Sequence, residues 1–298
     1  MTGKLHGAFT AMVTPFSEDG KTLDEKALAS FIEWQISEGI NGLVPCGTTG
    51  ESPTLSPDEH DRVVAVTVEV AAGRVPVVAG TGSNSTAEAV ARTRHAETNG
   101  ADAAMLVTPY YNKPSQEGMI QHFEAVLEAT EKIPIIIYNI PGRSIVDFQN
   151  ESLRRLLHHR RLVGIKDATQ DLVRPALLRQ ILAEEGRADD FSQFSGEDPT
   201  AVAFLAQGGH GCISVSANVA PAFCAEQQEK WRRGDISGAQ SLDARLQPLH
   251  GAMFCSPSPG PAKYALSLGG RMTPAVRLPV SPPGEAERER IRAALSSL

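Results

Sequence analysis

The sequence predicts a (β/α)8 TIM barrel with a C-terminal helical extension, and three observations carry that prediction. Eight short apolar runs recur at fairly regular spacing between residue 7 and about residue 233. Several of them are continuously apolar rather than alternating, as parallel strands buried on both faces require. Between them lie amphipathic stretches with helix-start signals, the alternation a (β/α)8 barrel demands. The length of 298 residues suits such a domain, because α/β barrels run to ~200–250 residues as one unit. A doubly wound open sheet is the rival fold, but no dinucleotide fingerprint marks a point where strand order reverses. The expected division is a barrel over 1–233 and helices over 234–298, packed together as a single structural unit.

In chain order, the strand-like runs are GAFTAMV (7–13), GLVPCG (42–47), VPVVAG (75–80), AAMLVTP (103–109), PIIIYNI (134–140), LVGIKDA (162–168), FSQFSG (191–196) and GCISVSA (211–217). Thr22-Leu23-Asp24-Glu25, Ser56-Pro57-Asp58-Glu59 and Ser85-Thr86-Ala87-Glu88 each read as a capping box, in which a hydroxyl and a Glu satisfy orphan amides. Asp198-Pro199 reads as an N-cap before a proline at the first helical position. Seven strands lead directly into such a helix, and the eighth leads into PAFCAEQQEKWRRG. Beyond it, SGAQSLDARLQPLHGAMF, PAKYALSLGG and EAERERIRAAL predict three more helices, with no linker-like segment before them.

Bulk properties narrow the function. Hydrophobic content of 41% and charged content of 21% are ordinary for a globular protein. The net charge of −7 comes from interspersed Asp and Glu, which argues against nucleic acid as a partner. No apolar run approaches the ~20 residues of a membrane span, and the N-terminus lacks a signal arrangement. Cys46, Cys212, Cys224 and Cys255 form no CxxC or metal spacing, so reduced thiols in a cytoplasmic protein are expected.

In a barrel, reactive residues sit at the C-terminal ends of strands and in the loops that follow. That rule selects GTTGE (47–51), TPYYNKP (108–114), YNIPGRS (138–144), IKDAT (165–169) and SGED (195–198). Lys166 directly follows Val163-Gly164-Ile165, so its ammonium would enter from an apolar wall. Desolvation would lower its pKa and free the amine to attack a carbonyl. Position alone favours a plainer alternative, a strand-end lysine paired with a carboxylate such as Asp167. Tyr138 ends a buried strand and reads equally as a proton carrier or as a core tyrosine with a satisfied hydroxyl. The turn Gly47-Thr48-Thr49-Gly50 offers amides and hydroxyls to an oxyanion, although such turns also serve as plain connectors. Arg143 either reaches over the mouth to bind a carboxylate bidentately or is a solvated surface arginine.

Other signals carry less. His158-His159 lies on a basic helix face, where adjacent residues do not converge on one metal. No HxH or HExxH spacing occurs, which disfavours a metal-dependent aldolase. Gly208-Gly209-His210-Gly211 precedes a strand, whereas a phosphate grip belongs after one.

GTTGES, GTGSNST, VTPYYNKPSQEG, YNIPGRS, GIKDAT, SGED, GGHGCISVSANV and RLP (277–279) stand in an order and spacing that resembles, nearly end to end, the dihydrodipicolinate synthase (4-hydroxy-tetrahydrodipicolinate synthase) family of the N-acetylneuraminate lyase superfamily. The second Thr region and the Arg of YNIPGR point to the synthases rather than to the sialic acid lyases. The resemblance implies condensation of pyruvate with L-aspartate 4-semialdehyde in lysine and diaminopimelate biosynthesis, through an imine on Lys166 and without cofactor or metal. It implies that Tyr138 shuttles protons, and that Thr48 links it to Tyr111, which the family inserts from a neighbouring subunit of a homotetramer. It assigns the pyruvate carboxylate to Thr49, the semialdehyde carboxylate to Arg143, and the pocket lining to Gly196 and Ile213. It also implies an L-lysine effector site from Ser52, Pro53, His60, Asn84, Glu88 and Tyr110, with His60 otherwise expected on the exposed face of the second helix. Two departures stand out: Ser258-Pro259-Gly260-Pro261 replaces the family's Asn-Pro-Ile-Pro, and Ser144 follows Arg143 where Thr is common. The alternatives are another pyruvate-dependent aldolase of the superfamily with a different aldehyde or 2-oxo acid, and a non-catalytic small-ligand-binding member.

Overall fold

The computed structural model describes residues 4–298. Its eight strands are β1 (Gly7–Ala11), β2 (Gly42–Val44), β3 (Val78–Gly80), β4 (Ala103–Val107), β5 (Ile135–Asn139), β6 (Leu162–Asp167), β7 (Ser192–Ser195) and β8 (Gly211–Ser214). They alternate with helices α1 (Glu25–Ser37), α2 (Pro57–Ala71), α3 (Thr86–Thr98), α4 (Gln116–Ala129), α5 (Pro141–Ser144), α6 (Asn150–Arg154), α7 (Val173–Glu184), α8 (Ala201–Ala206) and α9 (Pro221–Arg232). This is the (β/α)8 barrel of the sequence prediction. The C-terminal extension is α10 (Ile236–Met253), α11 (Gly260–Leu268) and α12 (Glu285–Ser296). None of the helices among the described residues is long and apolar enough to cross a membrane.

The chain forms two compact units. In the first, residues 4–6 and 78–213, β3 to β8 pair in sequence order, each parallel to the next. Ile135, Ile136 and Ile137 are fully buried, each worth about 1.5–3 kcal/mol relative to an exposed side chain. Gly164 lets β6 approach β7, since a Cβ there would sit 2.8 Å from the Ser192 carbonyl oxygen. The second unit, residues 7–77 and 214–298, holds the parallel pair β1–β2 and the C-terminal helices. There α10 packs on α9, and α12 packs on α10 and α11. Several of its buried polar groups are satisfied internally. Thr10 Oγ1 donates to Gln35 at 2.6 Å, Gln35 donates to the Ala217 carbonyl at 3.0 Å, and Asn218 bonds both Val13 N and the Ala11 carbonyl.

Several expected starts and ends differ from those observed. The runs at 42–47 and 75–80 shorten to three residues each, with Pro45 and Pro76 unable to donate to a ladder. The first helix is capped by Asp24, which accepts from Ala27 N at 2.9 Å, not by a Thr22 box. Thr22 is still in a tight turn, its carbonyl bonded by Ser17 N, and Leu23 bridges to Phe16. The Ser56–Glu59 box is complete. At Ser85 only half of the box forms: its hydroxyl accepts from Glu88 N, but its own N–H is taken by Ser83 Oγ at 3.1 Å. The Glu88 carboxylate instead bonds Ser83 Oγ and pairs with Arg92. Asp198 caps no helix: it opens a single 3-10 turn, Asp198–Thr200, and its buried carboxylate lies 3.9 Å from Cys212 Sγ.

Candidate active site

At the C-terminal ends of β5 and β6, Tyr138 pairs in register with Lys166. Each is only 5% exposed, and Lys166 Nζ lies 4.2 Å from the centroid of the Tyr138 ring. Burial pushes the Lys166 amine down to about 8, because an ammonium there has lost its water. Cys212, Asp198 and Glu197 pull it partly back up, and the Arg143 guanidinium lowers it. Asp167 does not pair with Lys166 but ion-pairs with Arg174 at 3.0 Å and accepts from Thr169. Gly196 makes room for the lysine stem: a Cβ there would lie 3.0 Å from Lys166 Cε and 2.7 Å from Ala168 Cβ.

Around this pair, Glu197 has its carboxyl raised by burial, against the opposing hydrogen bond from Gln170. Ile213 is buried in β8, beside Cys212. Arg143 sits exposed on α5, whose last residue, Ser144, is fully buried and accepts from Thr108 Oγ1 at 3.0 Å. Tyr111 protrudes, 85% exposed, from a loop in which it and Lys113 hold left-handed backbone conformations (φ 72° and 48°). Asn112 ties that loop to the Asn84 carbonyl at 2.8 Å.

In the second unit, the turn after β2 is tightly wound. Gly50 N and Ser52 N both bond the Gly47 carbonyl, and Glu51 N bonds that of Thr48. Gly50 is needed because a Cβ would meet Cys46 N and the Met12 carbonyl at 3.1 Å. Thr49 is buried and Thr48 half-buried. The turn ends on Glu51, in a left-handed conformation (φ 55°) and almost fully buried. Its carboxylate is met by Lys263 Nζ at 2.6 Å and by Arg277 N at 2.9 Å. Lys263 is wholly buried, donates also to the Ala275 carbonyl, and lies 4.0 Å over the Phe16 ring. Burial holds it down to about 8 even though Glu51 raises it. Arg277, in the RLP stretch, forms a double contact with Glu59 at 2.6 and 2.7 Å. Nothing local in the sequence marks Lys263; its partner is 212 residues away.

The six residues expected to hold an effector fall in both units. In the second, Pro53 is exposed and Ser52 half-buried, but His60 is 1% exposed, which corrects the expectation of a solvent-facing histidine. His60 begins the stripe His60, Val63, Val64, Thr67 and Ala71 that α2 buries. In the first, Glu88 is exposed, while Asn84 and Tyr110 are half-buried. None of the four cysteines forms a disulfide among the described residues, and three of them are buried. Among the described residues no group of three or more His, Cys, Asp or Glu is placed to hold a metal ion, and the His158 and His159 rings lie 4.0 Å apart, tilted by 40°.

Known proteins resemble this chain in sequence and in fold. The sequence model of the dihydrodipicolinate synthetase family matches residues 4–298. The 4-hydroxy-tetrahydrodipicolinate synthase of Acidiphilium cryptum is 55% identical over 293 residues, covering 98% of each chain. The crystal structure of the chloride-inhibited dihydrodipicolinate synthase of Acinetobacter baumannii, complexed with pyruvate, superposes with a TM-score of 0.94 at 43% identity over 99% of both chains. A monomeric dihydrodipicolinate synthase variant superposes with a TM-score of 0.94 at 37% identity, over 98% of this chain and 96% of its own.

Proposed function

The chain belongs to the dihydrodipicolinate synthetase family, and from that premise we propose that it is a lyase condensing pyruvate with L-aspartate 4-semialdehyde to 4-hydroxy-tetrahydrodipicolinate. The observation that supports this most directly is Lys166, a buried amine brought down to about 8 and set against Tyr138. The neutral amine attacks the pyruvate carbonyl and water leaves, giving an imine. Loss of a methyl proton then gives the enamine, whose carbon attacks the aldehyde. The substrate's own amine attacks the imine carbon, closes the ring and releases the lysine. The covalent step divides one difficult carbon–carbon bond formation into easier stages. Tyr138 carries protons to and from the carbinolamine, and Thr48 relays them to the partner subunit's Tyr111. Thr49 holds the pyruvate carboxylate, Arg143 that of the semialdehyde, and the Gly196 and Ile213 carbonyl regions line the pocket. No metal or organic cofactor enters.

Borohydride reduction in the presence of pyruvate tests the chemistry. One covalent label per chain is expected, on Lys166, and the initial trapping rate should climb with pH with a midpoint near 8, because only the unprotonated amine attacks. A label on another lysine, or a trapping rate flat from pH 6 to 9, contradicts the assignment.

Two further proposals follow the same assignment. The active form is a homotetramer of paired dimers, since an aromatic as exposed as Tyr111 serves the relay when a neighbour receives it, and C2 pairing makes the exchange mutual. A monomeric dihydrodipicolinate synthase variant has a similar fold, so the test is functional. Sedimentation at assay concentration should find no monomer with full activity. The second proposal is feedback inhibition by L-lysine at Ser52, Pro53, His60, Asn84, Glu88 and Tyr110. Glu88 faces an ammonium group, while Asn84 and Tyr110 take the carboxylate. With His60 buried, its part is to support the site rather than to present a charge. Titration with L-lysine at fixed substrate should inhibit the parent and spare Glu88→Ala; equal curves, or no inhibition at millimolar lysine, remove the site.

A further inference from the structure

Behind the Lys166–Tyr138 pair lies a closed set of polar contacts that the chemistry above does not use. Side chains alternate along a strand, so Asn139 and Asp167, paired in register, fall on the opposite face from Tyr138 and Lys166. Asn139 donates to Asp147 Oδ1 at 2.8 Å and accepts from Phe148 N at 2.9 Å. Arg174, at the start of α7, completes the ring. Its Nη1 donates to Asp147 Oδ2 at 3.1 Å, its Nε to Asp167 Oδ2 at 3.0 Å, and its Nη2 to the Phe148 carbonyl at 2.7 Å. Arg174 and Asp167 are 13% and 8% exposed, so the charge-assisted bond between them is sheltered from the screening that weakens surface pairs, whereas Asp147 is 43% exposed.

The ring spans what must be held still. The bond from Ala168 N to the Asn139 carbonyl, 2.9 Å, continues the β5–β6 ladder past Lys166. Past that rung the chain leaves β5 through α5, which carries Arg143, and Asp147 marks its return. One guanidinium therefore joins the return side of the Arg143 excursion to the residue that follows Lys166, and Asp147 links that side to Asn139 on the departing one.

We propose that Arg174 is a positioning residue for the imine-forming pair: through Asp167 and Asp147 it clamps the C-terminal ends of β5 and β6 together and anchors the segment that carries Arg143. The inference rests on the assignment of Lys166 and Tyr138 made above. Displacements of about 1 Å at a reacting centre cost up to ~10²-fold in rate, which is the scale on which an unclamped strand end acts.

The test uses the full-length protein as Arg174→Met, Arg174→Lys and Asp147→Asn. Competent sites are counted by pyruvate–borohydride labelling, and kcat is expressed per labelled site. Arg174→Met should lose roughly tenfold or more in kcat per labelled site, while KM for pyruvate moves less than about threefold. Arg174→Lys should recover part of the loss, and Asp147→Asn should fall between parent and Arg174→Met. A merely structural role would reduce the number of labelled sites and leave kcat per site unchanged. That result in folded Arg174→Met, or in Asp147→Asn if the methionine variant does not fold, overturns the proposal. Absence of label on Lys166 in the parent overturns the underlying assignment instead, so the two failures are distinct.

Discussion

Lys166→Met is expected to lose condensation activity by roughly 10⁴-fold or more, the scale of removing a covalent nucleophile, while the protein becomes more stable at neutral pH. The two effects share one cause. In the unfolded chain this amine has the ordinary lysine value of 10.5, whereas burial lowers it to about 8 in the fold. A basic group lowered on folding opposes folding, because the unfolded chain holds the proton more tightly. That cost is fully present below pH 8, fades as pH rises towards 10.5, and is gone above it. It amounts to about 3 kcal/mol, at 1.36 kcal/mol per pH unit. Methionine keeps much of the side-chain volume without the charge, so its gain in Tm should be largest at pH 7 and shrink between pH 8 and 10.5. Thermal unfolding at pH 7 and 10 checks the stability half and a coupled turnover assay the other. Wild-type-like turnover ends the case for Lys166. A stability gain that does not change with pH shows that the lysine is not strained by burial.

Arg143→Ala is expected to reduce kcat/KM for the semialdehyde by roughly 10²-fold, the worth of one or two hydrogen bonds to a charged group. Pyruvate trapping on Lys166 should survive nearly intact. The separation arises because Arg143 is exposed on α5 while Lys166 is buried beneath the strand ends. On the proposed assignment, loss of Arg143 removes a contact to the second substrate without opening the amine to water. The guanidinium also lowers the Lys166 amine slightly, so the pH midpoint for trapping should rise a little in the variant. Parent-like kinetics with both substrates would mean that Arg143 is only a solvated surface residue. A panel of aldehydes lacking the carboxylate offers the complementary control, since they should gain nothing from the arginine.

The barrel and the strand-end placement of Lys166 and Tyr138 were legible in the sequence because both follow from local pattern, whereas the roles proposed for the pair came from the family resemblance. Continuous β-branched runs such as Ile135–Ile137 fit strands buried on both faces, and barrel strands present chemistry at their C-terminal ends. Where the reading failed, the deciding partner was elsewhere. Thr22 lost its cap because a hairpin with Phe16 delays the helix by two residues. Glu88 was drawn away by Ser83 and Arg92. His60 differs, because its burial follows from extending the Val63, Val64 and Thr67 stripe back one turn. Polar networks were least legible. Arg174 reaches Asp147 from 27 residues away, and such pairings depend on tertiary placement that no periodicity encodes.

The buried contact between Lys263 and Glu51 also sets a clock on the making of the protein. Translation proceeds at ~5–20 residues per second, so a ribosome needs about 10–40 s to cover the 212 residues between them. During that interval the turn carrying Thr48 and Thr49 has been synthesised, but the cation that neutralises its buried carboxylate has not. An unpaired buried carboxylate is too costly to hold in place, so the turn after β2 settles only when α11 arrives. The part of the barrel made early is therefore among the last to mature, and a chain that stops short of residue 263 leaves it unfinished.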